Sequence, residues 1–384
     1  MRIPGLARDS HSTKASCAAV VLVIFLSFTV RLYCQNASPQ QTFESIAKRA
    51  AESRDANHLE EAALLYHQAL ALHPKWAEGW WSLGTLEYDR NHYAEAAAAF
   101  RHLLPLAPKD GAALVMLGLS EFELGQDDKA FKHLEAGKSL GIPANPQLEQ
   151  VLLFHEGVLL RRQGKFESAQ LSLGQLCSEG VQSREIIREL GLVMLRIDGN
   201  NAPPENSPGA EVVRRVGYAA CLTSEKKFDQ AQTVYAELTE KYPEYPNLHY
   251  AYGMFFSDSG NPASAVDQFK QEISHNPLDV ASRLRIVSTL YKSDSAAALP
   301  YAQQAVHLDP HLPFAHYLLG LIYLDTDDYL KAIPELEIAR RAFPEDPKVY
   351  FALGSAYSRA GRKKEADEAR AAFQKLSEKP PAAN

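Results

Sequence analysis

The stretch AEGWWSLGTLEYDRNHYAEAAAAFRHLLPLAPKD, residues 77–110, decides the fold. Trp80, Leu83, Gly84 and Glu87 fall at the spacings of 3, 4 and 7 that mark one helix face, and Ala96, Phe100 and Leu103 repeat those spacings further on. Two helices are expected, with DRNHY at 89–93 as the turn between them and Pro108 closing the segment. Gly84 and Ala96 are small where the two helices must approach, while Trp80 and Phe100 fill the space on either side. A bulky residue at Ala96 should overpack that contact at a cost of about 1 to 3 kcal/mol.

Working outward, the same residue types return at a step of 34: Ala62, Ala96 and Ala130; Gly84 and Gly118; Pro74 and Pro108; Gly157 and Gly191; Pro243 and Pro277; Gly320 and Gly354. The strings WSLGTLEY (81–88), YLLGLIYLDTDDYLKAIPELEIARRAFP (317–344) and YFALGSAYSRAGRKKEADEA (350–369) carry the pattern most clearly. In them the chain resembles the tetratricopeptide repeat family. The resemblance implies an all-α fold, a right-handed superhelical solenoid of antiparallel helix pairs with about nine to ten repeats. Units begin near Phe43, Ala77, Gly111, Gln150, Arg184, Val212, Pro246, Val280, Pro313 and Pro347.

Three departures stand out. Extra residues around GIPANPQLEQ separate the third and fourth units, and the unit containing SDSAAALPYAQQAVHLDP is one residue short. The fifth unit has only its first helix, because DGNNAPPENSPGAE follows RELGLVMLRI and cannot form the second. The segment 198–211 therefore reads as a linker between arrays at 43–197 and 212–377, or as a loop on one continuous superhelix. Arg370, where other units carry an apolar residue, marks a terminal cap, and a disordered tail is expected at 378–384.

At the other end, residues 1–37 read as a signal peptide or signal anchor. Arg2, Arg8 and Lys14 precede an apolar core, Ala18 to Val30, of 13 residues, short of the roughly 20 that span a bilayer. Cleavage is favoured; an uncleaved segment would be the chain's membrane contact. The remainder is expected to work across a membrane, as a periplasmic or secreted protein or one anchored by a single N-terminal helix. Cys177 and Cys221 could pair if the array brings them together, but lying on either side of the interruption they read first as buried thiols.

Composition excludes several functions. Of 384 residues, 46% are hydrophobic and 23% charged; 47 acidic against 40 basic residues give a net charge of −7 without a long run of either sign, which argues against nucleic acid. Four cysteines make neither a disulfide framework nor a zinc module. His155-Glu156 starts like a zinc-protease string, but position 159 is Leu159, and His307, His311 and His316 straddle Pro310 and Pro313 at a repeat junction. No phosphate-binding glycine loop or nucleophile elbow occurs, and Glu60-Glu61 and Asp327-Asp328 fall at helix starts or turns. The expectation is a protein that is not an enzyme and uses no metal or cofactor.

In the family's geometry the fifth, ninth and twelfth positions of each unit face a concave groove that binds partners. The fifth positions are Ala47, Trp81, Val115, Phe154, Arg188, Val216, Tyr250, Leu284, Tyr317 and Phe351, and the twelfth add Tyr88, Phe122, Arg161 and Tyr291. Of these, Trp81, Tyr88, Phe122, Phe154, Arg161, Tyr250, Tyr291, Tyr317 and Phe351 are the expected partner-binding residues, for a protein or peptide with hydrophobic anchors. The alternative is that these rings pack between repeats. Ala51, Thr85, Leu119 and Val158 at the ninth positions lack the asparagine of repeats that clamp chaperone tails. The expected function is a scaffold in an extracytoplasmic or envelope assembly, with a membrane-anchored tether or an accessory subunit of an enzyme complex as alternatives; the oligomeric state is left open.

Overall fold

The computed structural model describes residues 39–142, 145–199 and 201–378. The expected signal segment at 1–37 and the tail beyond 378 lie outside them. Among the described residues there are 19 helices and no strand. They come as hairpins: α1 (Pro39–Asp55) with α2 (Leu59–Leu72), α3 (Ala77–Asp89) with α4 (Tyr93–Leu103), and α5 (Gly111–Glu123) followed by α6 (Asp127–Leu140). Next are α7 (Pro146–Arg162) with α8 (Phe166–Ser178), the single α9 (Arg184–Met194), and α10 (Pro208–Ser224) with α11 (Phe228–Lys241). The series ends with α12 (Leu248–Asp258) and α13 (Pro262–His275), α14 (Val280–Leu290) and α15 (Ser295–Leu308), α16 (Pro313–Asp325) and α17 (Tyr329–Ala342), and α18 (Pro347–Arg359) and α19 (Lys363–Ser377). This is the all-α solenoid of helix pairs that the repeat implies.

The chain divides into two compact units, one ending at His133 and the other beginning at Leu134. In the first unit Ala50, Ala62, Tyr66 and Leu83 form one apolar cluster, and Ala96, Phe100, Leu103 and Leu117 another. In the second a larger cluster runs from Val287 through Leu319 and Leu336 to Ala369.

Three local devices recur. Every hairpin turn except the one between α14 and α15 places one residue in the left-handed region: Asn57, Asn91, Gly125, Gly164, Lys226, Gly260, Asp327 and Gly361. At Asn91 the backbone N–H bonds the Tyr88 carbonyl and the next N–H bonds that of Glu87, which satisfies the carbonyls left open as α3 ends. The second device is a knob on a glycine. A Cβ on Gly84 would stand 2.7 Å from the Phe100 ring, so the ring of α4 rests on bare backbone of α3. Leu173 on Gly157, Phe269 on Gly253 and Leu336 on Gly320 repeat the contact. The third ties several first helices to the chain entering them. Trp80 Nε1 donates to the Pro74 carbonyl at 2.8 Å, Arg283 Nη2 to Pro277 at 2.8 Å and Tyr350 Oη to Pro344 at 2.9 Å. His249 and His316 bond Pro243 and Pro310 in the same way, which makes His316 a buried junction residue.

At the interruption the array closes upon itself. Arg196 takes the left-handed turn conformation after α9, but the Pro- and Asn-rich sequence that follows cannot supply the second helix. α10 packs on α9 instead, through bare glycine backbone on both helices: a Cβ on Gly217 would meet the Ile187 carbonyl oxygen at 1.7 Å, and one on Gly191 that of Val213 at 1.9 Å. Cys177 in α8 and Cys221 in α10, both fully buried with Cα atoms 5.2 Å apart, form a disulfide. This corrects the reading of two buried thiols: the absent helix lets α10 reach α8, a proximity that spacing along the chain does not disclose.

Candidate partner-binding surface

The expected partner-binding residues do not share one environment. In the first unit Trp81, Tyr88 and Phe122 are half-buried. Trp81 meets Phe100 edge-on at 5.8 Å, and Tyr88 meets Tyr93 at 5.3 Å. Burial, with Glu123, Tyr93 and Asp89 nearby, pushes the Tyr88 hydroxyl up to about 12.

In the second unit, Tyr250 and Arg161 are interior. Arg161 is 5% exposed; its Nε donates to Glu189 Oε2 at 2.7 Å and its Nη1 to the Ile197 carbonyl at 3.2 Å, tying α7 to the end of α9. Tyr250, 3% exposed, accepts at its hydroxyl from Arg196 and Arg285, each at 3.2 Å. Both arginines also bond Glu167 Oε1, at 2.9 and 3.2 Å. Burial raises the Glu167 carboxyl, and the two guanidiniums more than reverse this, leaving it below its usual range. These residues are a clasp across the interruption, in which Arg161 and Tyr250 are buried while the Glu167 side chain stays exposed. What covers Arg161 and Tyr250 is decided by the missing helix.

The other four keep access. Phe154 and Tyr291 are half-buried, and Tyr317 lies stacked on Phe314 with centroids 6.3 Å apart. Burial raises the Tyr317 hydroxyl, helped by Asp346 and Tyr291. Phe351 is 62% exposed and leans on Phe373 at 5.5 Å. Phe351, Gly354, Ser358, Arg370 and Phe373 enclose a cleft of about 260 Å³. Arg370 sits against Gly354 where the other units place an apolar knob, as a terminal cap should.

A larger cleft, about 1030 Å³, opens around Phe154. Its walls are α7, α9, α10 and the 203–206 stretch, and it contains the fifth-position residues Phe154 and Arg188 together with Arg184, Arg214 and Tyr218. The last three were not expected at a site. Arg184 and Arg188, and Arg214 and Tyr218, are pairs four apart on their helices, which is the signal available in the sequence. The 212 start hides it, because α10 begins a turn earlier, at Pro208, with Ser207 capping through a hydroxyl that accepts from the Ala210 N–H. Among the described residues no group of His, Cys, Asp and Glu could hold a metal ion, and no helix is long and apolar enough to cross a membrane.

Helix pairs of this length, joined by left-handed turns and locked by a large residue on a glycine, define a helical-hairpin repeat protein. The tetratricopeptide repeat model matches residues 48–111, 82–146, 225–280, 285–336 and 317–384, well over half of the chain. The protein belongs to the tetratricopeptide repeat family. It is similar to Superkiller protein 3 of Schizosaccharomyces pombe, 22% identical over 162 residues, covering 40% of this chain and 12% of that protein. It is also similar to the general transcriptional corepressor trfA of Dictyostelium discoideum, 27% identical over 130 residues, covering 33% and 9%. The matches thus span about a tenth of these curated relatives. Among solved structures, MamA from Desulfovibrio magneticus RS-1 is similar over 44% of this chain and 98% of that one, with a TM-score of 0.40 and 22% identity. YrrB, titled a TPR protein with an unusual peptide-binding site, is similar over 42% and 84%, with a TM-score of 0.39 and 18% identity.

Proposed function

We propose that this protein is a non-catalytic scaffold that binds a peptide or protein partner on the exposed face of its first helices. The observation that carries the reading is the set of large apolar side chains on first helices that the core does not absorb. Phe351 is 62% exposed, Phe314 43% and Tyr218 42%, and Tyr317 and Phe154 stand beside them half-buried. Aromatic side chains of this kind supply most of the binding energy where a partner desolvates them. The test replaces Trp81, Phe154, Tyr317 and Phe351 by alanine and compares partners captured from extracytoplasmic extracts, after both proteins are shown to be equally helical. Loss of a partner from the variant is expected; identical partners at equal strength would refute the reading.

The setting we propose is outside the cytoplasm, in an envelope or secreted assembly. The charged-then-apolar start of the sequence supports this, as does a buried disulfide, a bond that persists in oxidising compartments. Fractionation with N-terminal sequencing tests it, and a cytoplasmic protein with free Cys177 and Cys221 would contradict it.

A further inference from the structure

The cleft around Phe154 has a chemistry of its own. Its lining combines apolar side chains, Phe154, Ile187, Leu192, Val213 and Tyr218, with arginines. The charges are unevenly satisfied. Arg188 Nη1 donates to Glu189 Oε1 at 3.0 Å while Arg161 holds the other oxygen of the same carboxylate, so one acid serves two guanidiniums. Arg215 is paired with Glu237. Among the described residues Arg214 donates only to a carbonyl, that of Glu205, at 3.3 Å. Arg184 is exposed, and among the described residues no hydrogen bond or ion pair occupies its guanidinium. Glu185, its neighbour, is held below the usual carboxyl range by the Ser183 hydroxyl first and by the Arg184 charge as well.

We propose that this cleft binds a peptide that presents one carboxylate beside a large apolar side chain, the apolar group entering over Phe154 and Val213 and the carboxylate meeting Arg184 and Arg214. The inference rests on the scaffold reading and specifies the partner for this part of the surface. A guanidinium fork matches a carboxylate in shape and charge, and it gains most where apolar walls lower the local dielectric. Glu185 and Glu205 in the same lining set the limit: a polyanion such as nucleic acid would meet their charge, whereas a single carboxylate offers them far less to repel. The arrangement also uses the sequence departure. The 203–206 wall exists because the fifth unit lacks its second helix, so no regular unit reproduces this cleft.

The experiment pans a random dodecapeptide library on the full chain and, in parallel, on R184Q/R214Q and on Y218A, with helicity and the Cys177–Cys221 bond verified in each. Peptides enriched on the unaltered protein are expected to share Asp or Glu next to Phe, Tyr, Leu or Trp. Their affinity, read by fluorescence anisotropy, should fall about tenfold or more in R184Q/R214Q and weaken with salt, and should rise in E185Q. Enriched peptides without an acidic residue, or with affinity unchanged in R184Q/R214Q, would overturn the proposal. If such peptides lose binding on F351A instead, the scaffold reading stands while this cleft fails; if no peptide is enriched, both fall. A single-stranded oligonucleotide, the remaining arm, is expected not to compete, and competition would also overturn it.

Discussion

Lys226 holds φ at +61° in a turn where Gly260, one repeat later, does the same work without a side chain. A left-handed residue with a Cβ is strained by roughly 1 kcal/mol or more, so Lys226→Gly should raise stability by up to about 1 kcal/mol even though glycine usually lowers it. The same logic gives one substitution two signs. Gly84→Ala would drive a Cβ to 2.7 Å from the Phe100 ring, and Gly354→Ala would meet the flexible Arg370 stem at 3.4 Å. The first should cost about 1 to 3 kcal/mol and the second should gain about 0.5 kcal/mol, both read by urea unfolding; a gain at Gly84 would contradict the packing described. These glycines were legible because the period of 34 exposes them and close helix approach needs a residue without a side chain. The burial of Arg161 and Tyr250 was not legible, because a register names a face and says nothing of the neighbour that covers it.

At the scale of elements, the hairpins and their turns were readable from spacing, and so was the missing helix after α9. What replaces it was not. The α9–α10 backbone contact, the disulfide and the clasp each depend on two segments that meet because a third is absent, and no local pattern encodes that. The disulfide closes a loop with a sequence separation of 44, for which chain entropy predicts about 4 kcal/mol. Reduced protein, or C177S/C221S, should therefore unfold at markedly lower urea, whereas unchanged unfolding would show that the bond does not form. The clasp has a pH signature. Glu167 titrates below its unfolded range, so its contribution is present above that range and lost as pH falls through the folded value. Glu167→Gln should destabilise at neutral pH, and its difference from the unaltered protein should vanish as pH falls through the folded value of Glu167; a constant difference would mean that the arginines do not bond the carboxylate.

For the whole molecule, function depends on which surface remains after packing is satisfied. Repeats spend most of their residues on neighbours, and thus the sequence discloses architecture well and the partner poorly. Exposure of a leucine alone does not mark a site: Leu171 and Leu330 on second helices are 76% and 75% exposed, and solitary surface leucines are ordinary. The first-helix surface differs in gathering rings, and in the Phe154 cleft it adds arginines. The most direct measurement places a photo-crosslinking amino acid in turn at Phe154, Phe314 and Phe351, and at Leu171 and Leu330, in the protein in its own cells. Partner adducts from the three first-helix positions and none from the two second-helix leucines are predicted. Adducts from Leu171 or Leu330 alone would place the binding surface on the other side of the helix pairs and contradict the account.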